Sequence, residues 1–357
     1  MKKCFLGFIL FLISLSARAE VVDADQAVSY LSIFSSQIVH RPLTAAEVTQ
    51  VRNSGAAVFQ QILDKWFLEA EFLNSSQIYI ENLLRTSGVT ATADYNLPGY
   101  LGRDVARKNR PYSDLITANS CVNSAGQNIS CDTAAPFVAG VLTTKAYLTT
   151  AKGAYNISRA GKLMDKFLCT TYPLADVEEP KLRQEELIGQ FATQNGTITF
   201  GNGNNCYSCH SQFGLHAQFF VKFDLNGNYI PNATGIQNTL ATDGFSNNGL
   251  ATSHLKDPAR SGLENSHILG KNAANLADAA TIIVQSSRFL PCAVKSMMQY
   301  YMRLTSQNIE TIKPDLYSEI ARQAKLKQAA PSISHLLSSI ITDPSVYNSF
   351  KKSGARP

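Results

Sequence analysis

The chain has 357 residues, of which 45% are hydrophobic and 17% charged, which is typical of a globular protein long enough to form two domains. Its formal net charge of +5 comes with no dense cluster of lysine and arginine, so a nucleic-acid partner is not indicated. No stretch offers the roughly 20 consecutive apolar residues that a membrane-spanning helix needs, so we do not expect the chain to span a membrane.

The N-terminus has the pattern of a secretory signal peptide. Two lysines precede an apolar run over residues 5–15, and Ala17-Arg18-Ala19 fits the small-x-small cleavage rule. We therefore expect residues 1–19 to be removed and an exported mature chain that begins near Glu20. Cleavage would also remove three basic residues, which leaves the mature chain close to neutral.

Hydrophobic periodicity in the first half of the chain is mainly helical. The spacing of Thr44 and Glu47 predicts a capping box at the start of a helix that runs towards Val51. Proline, glycine, asparagine and serine between Asp94 and Asp132 predict a long irregular connection. Further helices are predicted over residues 24–39, 56–72, 77–85, 137–147 and 159–169.

The second half begins with polar, turn-rich sequence over residues 193–205, which predicts a domain boundary near residue 195. Residues 226–262 are rich in glycine and asparagine and predict loops. Four more helices are predicted over residues 275–285, 287–304, 314–326 and 332–341. The expected fold class is therefore all-α with long irregular loops, in domains over residues 20–195 and 196–357.

The most specific motif is Cys206-Tyr207-Ser208-Cys209-His210, which has the C-x-x-C-H pattern of c-type haem attachment. Two residues between the cysteines bring both thiols to one edge of a porphyrin, where each can form a thioether with a vinyl group. The adjacent imidazole can then bind the iron. We expect one covalent haem c, bound by Cys206, Cys209 and the proximal iron ligand His210, and hence a cytochrome c-like C-terminal domain.

Three other interpretations of this motif are less well supported. A thioredoxin-like dithiol needs a βαβ setting, whereas turn-forming residues precede Cys206. A zinc site needs a second close pair of cysteine or histidine ligands, which the sequence lacks. A disulfide between Cys206 and Cys209 would be strained by the short separation.

The sequence leaves the sixth iron ligand open. His216 lies only six residues after His210, too close for the chain to cross the haem plane easily. The distal candidates, in order of preference, are His267, then Met297 or Met298, then His254. A sixth protein ligand would give a closed electron-transfer site, whereas an open position would permit peroxide or small-gas chemistry.

Four cysteines remain once Cys4 of the signal peptide and the two haem cysteines are set aside, and an exported protein can use them in disulfides. Cys121 and Cys131 flank a polar loop, so a local bridge that staples this loop is the simplest pairing. That leaves Cys169 to pair with Cys292; the alternative is two buried free thiols.

Several stretches of the chain carry a family resemblance. They are His40–Val48, Gly140–Thr143, Ala146–Leu148, Arg159–Lys162, Leu168-Cys169, the haem motif with Phe223-Asp224, Leu276-Ala277, Phe289, Cys292 and Ile340–Asp343. Together they resemble the planctomycete-type cytochrome c proteins, exported bacterial multi-domain chains of largely uncharacterised function. The resemblance implies haem binding and electron transfer without a settled substrate.

These observations favour a periplasmic mono-haem c-type cytochrome that exchanges electrons with a redox partner protein. No triad order, metal-ligand cluster or nucleotide-binding loop indicates catalytic residues, so an enzyme is not the first expectation. The alternatives are a peroxidase-like haem enzyme with an open sixth position, and a structural or interaction module whose weak core is stabilised by the bound haem.

Overall fold

A computed structural model describes residues 24–151, 156–176, 178–187, 190–193, 196–199, 205–233, 255, 257–305, 312 and 314–353. Within it the chain forms two compact units. The first comprises the described residues up to Ser76 together with those from Val294 onward, and the second comprises those of Gln77–Ala293. The predicted boundary near residue 195 falls within the second unit, and the division into domains at that residue stays a prediction, as does the signal peptide, which lies outside the described residues.

Most of the described residues are helical, in agreement with the all-α expectation, and the strands are few and short. The helices are α1 (24–38), α2 (Ala45–Ser54), α3 (Phe59–Trp66), α4 (Ala70–Leu84), α5 (Leu97–Arg107), α6 (Asp114–Thr117), α7 (Lys145–Thr149), α8 (Asn156–Leu168), α9 (Asn205–Ala217), α10 (Pro258–Ser261), α11 (Leu276–Gln285), α12 (Phe289–Tyr301), α13 (Pro314–Lys327), α14 (Ile333–Ile341) and α15 (Pro344–Ser353).

The described strands pair as antiparallel hairpins. They are β1 (Cys121–Val122) with β2 (Asn128–Ile129), β3 (Gln190–Thr193) with β4 (Gly196–Thr199), and β5 (Ser266–Ile268) with β6 (Lys271–Ala273). None of the helices within the described residues is both long enough and apolar enough to cross a lipid bilayer.

The capping box at the start of α2 is confirmed. The Glu47 N–H donates to Oγ1 of Thr44 at 3.2 Å, and the Thr44 N–H donates to Oε2 of Glu47 at 2.7 Å. The same carboxylate accepts hydrogen bonds from Trp66 at 2.7 Å and from Arg41 at 2.9 Å. It therefore joins the beginning of α2 to the end of α3 in the first unit.

The core of the first unit brings α1, α3 and α15 together around Tyr30 on α1. The ring of Tyr30 packs on Phe59 of α3 and on Tyr347 of α15, with centroids 5.7 and 5.1 Å apart. Its hydroxyl donates to the carbonyl oxygen of Ile341 at 3.2 Å. The terminal helices thus share one aromatic core.

Three element predictions differ from the structure. The helix predicted over residues 137–147 is instead a 3-10 turn over Gly140–Thr143 followed by the short α7. The single helix predicted over residues 56–72 is interrupted, because α3 ends at Trp66 and α4 begins at Ala70, which lets the rings of Phe67 and Phe72 pack against each other at 4.9 Å. The irregular connection predicted from Asp94 contains α5. Its proline lies in the first turn, where the missing N–H costs no helical hydrogen bond.

Both expected cysteine pairs are disulfide-bonded in the second unit. Cys121 pairs with Cys131 across the β1–β2 hairpin, and Cys169, just after α8, pairs with Cys292 on α12. The second bridge links segments that are 123 residues apart in the chain and encloses the haem motif in its loop.

Candidate haem-binding site

The haem motif occupies the first turns of α9. Residues three and four apart lie on one face of a helix, so Cys206, Cys209 and His210 share a face of α9. Cys209 is a free cysteine, and both it and His210 are half-buried. The side chain of Cys206 lies outside the described part of the structure. The first turns of α9 therefore carry a free thiol at Cys209 and a half-buried imidazole at His210.

His210 lies near the place where α9 packs against α8. Its ring lies 5.6 Å from that of Phe213, measured between centroids. Gly161 of α8 faces the same phenyl ring, and a Cβ at this glycine would lie 3.6 Å from it. Burial lowers the pKa of His210, which favours the neutral imidazole that a metal ion requires.

Tyr207, between the two cysteines, anchors the motif to a small apolar cluster. Its hydroxyl donates to the carbonyl oxygen of Leu182 at 2.7 Å, and its ring packs on the cluster. The buried members of the cluster are Leu182, Leu187, Leu215 and Leu255. The side chain of Tyr207 is therefore held against an apolar core at the start of α9.

A cavity of about 420 Å³ adjoins this cluster and is lined by His267, the preferred distal candidate, together with Leu255 and Arg260. His267 lies on β5, which packs against α9. The neighbouring Ser266 hydroxyl donates to the carbonyl oxygen of Leu215 at 2.7 Å and ties the strand to the helix. The structure thus brings the segment that carries His267 to the helix that carries His210.

The other distal candidates lie elsewhere. Met297 and Met298 are buried in the part of α12 that belongs to the first unit, where they fill its core. His254 lies outside the described residues. Among the described side chains, no group of three or more histidine, cysteine or acidic residues forms a metal-ion site.

The residues present fit a covalently bound haem. A free thiol and a half-buried imidazole adjoin each other on α9. An apolar cluster and a cavity that contains a second imidazole lie beside the same helix. Arg260 at this cavity is half-exposed, and an ion pair with Glu186 at 2.9 Å holds its guanidinium.

A buried network that the sequence did not indicate lies further along α9. His216 is fully buried; its Nε2 lies 3.0 Å from Oε2 of Glu179, and its Nδ1 is hydrogen-bonded to the hydroxyl of Tyr172. Both partners of His216 are distant in the sequence, 37 and 44 residues away. The available signal was the four-residue spacing of Gln212 and His216, which places two polar side chains on one face of α9.

Comparisons with protein families, with curated proteins and with solved structures find no match to this chain. The resemblance to planctomycete-type cytochromes therefore stays a prediction, and the candidate site is supported by the chain's own residues.

Proposed function

We propose that this protein is an exported mono-haem c-type cytochrome that transfers electrons to and from a redox partner protein. The observation that carries the proposal is the C-x-x-C-H motif at the start of α9, with a free thiol at Cys209, beside a cavity lined by His267. In this proposal Cys206 and Cys209 hold the haem through thioethers, and His210 is the proximal ligand.

A bound haem c supplies one-electron redox chemistry at its iron. The residues of the chain hold and orient it. The position of His210 on α9 is fixed by the packing of Phe213, while the hydrogen bond from Tyr207 to Leu182 fixes the turn between the cysteines. His267 would be the second ligand, because β5, which carries it, is tied to α9. Two protein ligands would exclude other molecules from the iron and favour electron transfer over catalysis.

The test is expression of the full chain together with the c-type haem maturation machinery. After denaturation and extraction, the wild-type polypeptide should keep its haem, and its spectrum in alkaline pyridine should be that of a haem with two thioether bonds. The C209A variant should lose one thioether or fail to retain haem, whereas the neighbouring S208A variant should behave as the wild type does.

A colourless wild-type protein, or mass spectra that show Cys206 and Cys209 bonded to each other, would overturn the proposal. Binding of carbon monoxide to the reduced wild-type protein would instead favour the second candidate, a haem enzyme with an open iron position.

A further inference from the structure

The network of Tyr172, His216 and Glu179 is buried without a neutralising cation. The side chains of His216 and Glu179 are completely inaccessible to solvent. Besides His216, the carboxylate accepts a long hydrogen bond from the Gly270 N–H at 3.4 Å, and no lysine or arginine among the described residues forms an ion pair with it. A charge buried in this way is costly unless a proton compensates it.

One carboxylate oxygen of Glu179, Oε1, is buried and has no hydrogen-bond partner among the described residues. In a network that served only to hold segments together, we would expect both oxygens to be paired. Burial, followed by the negative charge of Glu179, raises the pKa of Tyr172 well above its ordinary value, so the phenol keeps its proton.

The network is adjacent to the proximal side of the candidate haem site. The ring of Tyr172 packs on that of Phe213 with centroids 3.9 Å apart, and Phe213 in turn lies against His210. His216 follows His210 by six residues on the same helix, a rise of about 9 Å. Two unit charges about 9 Å apart, at an effective dielectric constant of about 20, alter each other's proton-binding constant by roughly tenfold or more.

Other titratable groups on the elements packed against the network have their own partners. On α8, Arg159 donates to the carbonyl oxygen of Phe223, and Lys162 donates to the hydroxyl of Thr150. Asp165 and Lys166 of the same helix form an ion pair with each other. On the segment that carries Tyr172 they are Asp176, paired with Lys181, and Glu178, paired with Arg288. Tyr147 on α7 donates its hydroxyl to the carbonyl oxygen of Arg159 at 3.1 Å, and His267 on β5 is a further titratable side chain nearby. Glu179 and His216 form the fully buried pair among these groups.

We propose that the Tyr172–His216–Glu179 network binds a proton from solvent more tightly when the haem gains an electron, so that reduction is accompanied by partial uptake of a proton. This inference rests on the proposed function. The electron comes from the one-electron donor that serves as redox partner and reduces the iron. The proton comes from water and binds the His216–Glu179 pair, and both leave when the iron is reoxidised.

The experiment is a redox titration of the haem-loaded protein at a series of pH values from about 5 to 9. As the pH rises over this range, the equilibrium constant for reduction of the wild-type haem should fall by about tenfold in total. This fall corresponds to a decrease of about 59 mV in the reduction potential. In E179Q, which keeps the shape of the side chain but removes the carboxylate, this change should disappear. The matched control is E178Q, which removes the adjacent, partly exposed carboxylate and should keep the full change.

A second measurement needs no variant. Reduction of the wild-type protein in weakly buffered solution should make the medium more alkaline as protons are taken up. A potential that does not vary with pH, an unchanged pH dependence in E179Q, or the absence of proton uptake would each overturn the inference while leaving the cytochrome intact. Failure to attach haem would overturn the proposed function, and the inference would fall with it.

Discussion

Gln212 and Leu174 exchange two hydrogen bonds. The side-chain oxygen of Gln212 accepts from the Leu174 N–H at 2.7 Å, and its amide nitrogen donates to the Leu174 carbonyl oxygen at 3.1 Å. The same nitrogen donates to the carbonyl oxygen of Glu179 at 2.9 Å. One amide on α9 therefore satisfies three backbone groups of the segment that also provides Tyr172 and Glu179 to His216.

We expect Q212A to lower the free energy of unfolding by about 3 kcal/mol, because the three backbone groups lose their partner in a buried position. Denaturant unfolding, monitored by circular dichroism, measures the difference. Q61A, at an exposed position on α3, should change the stability by less than about 0.5 kcal/mol. Equal losses of unfolding free energy in the two variants would contradict the conclusion that the Gln212 hydrogen bonds stabilise the fold.

Glu47 should make the stability of the first unit depend on acid. Although burial works against ionisation, hydrogen bonds from Arg41, Thr44 and Trp66 lower the pKa of Glu47 from 4.5 to about 2. Because this pKa lies below the unfolded value, the contribution is complete above about pH 4.5 and is lost as the pH falls towards 2.

The E47Q variant should therefore be less stable than the wild type by about 2 kcal/mol at neutral pH, and the gap should narrow as the pH falls below about 4.5. Thermal unfolding at several pH values measures the gap. E71Q, which removes an exposed carboxylate at the start of α4, serves as the control. A gap between E47Q and wild type that stays constant down to about pH 3 would rule out Glu47 as the acid-sensitive group.

The two disulfides should differ in their contribution to stability. The Cys121–Cys131 pair is separated by 10 residues and the Cys169–Cys292 pair by 123. In the chain-entropy model, loops of these lengths contribute about 2–3 and about 4–5 kcal/mol. We expect C169A/C292A to be less stable than C121A/C131A by about 2 kcal/mol in denaturant titrations without a reducing agent. The reverse order would show that the longer bridge constrains the unfolded chain less than its length implies.

His267 should control access to the iron in the haem-loaded protein. Its position in the cavity beside α9 leads us to expect that H267A, once reduced, binds carbon monoxide, whereas the wild type does not. The control is M297L, which alters a buried core methionine of the first unit and should leave the spectrum unchanged. Carbon monoxide binding by M297L but not by H267A would reverse the order of the two distal candidates.

The sequence by itself determined the features that depend on local spacing. The distance between Cys206 and Cys209 and the adjacency of His210 define the haem motif without any knowledge of the fold. The spacing of Thr44 and Glu47 defines the capping box in the same way, because all of its hydrogen bonds join residues within one helical turn. Helical periodicity likewise predicted α8, α11 and α14 closely, since each buries one regular apolar face.

Only the tertiary structure decided which distant segments meet at α9. The partners of His216, the clamp between Gln212 and Leu174, and the cavity beside β5 all join residues separated by tens of positions in the chain. A side chain's identity does not specify its partner when the two are brought together by packing, because burial and hydrogen bonding then depend on how whole helices fit together. The sequence alone therefore only sets His216 aside as too close to His210 to bind the other face of a haem, whereas in the folded chain it is the centre of a buried polar network.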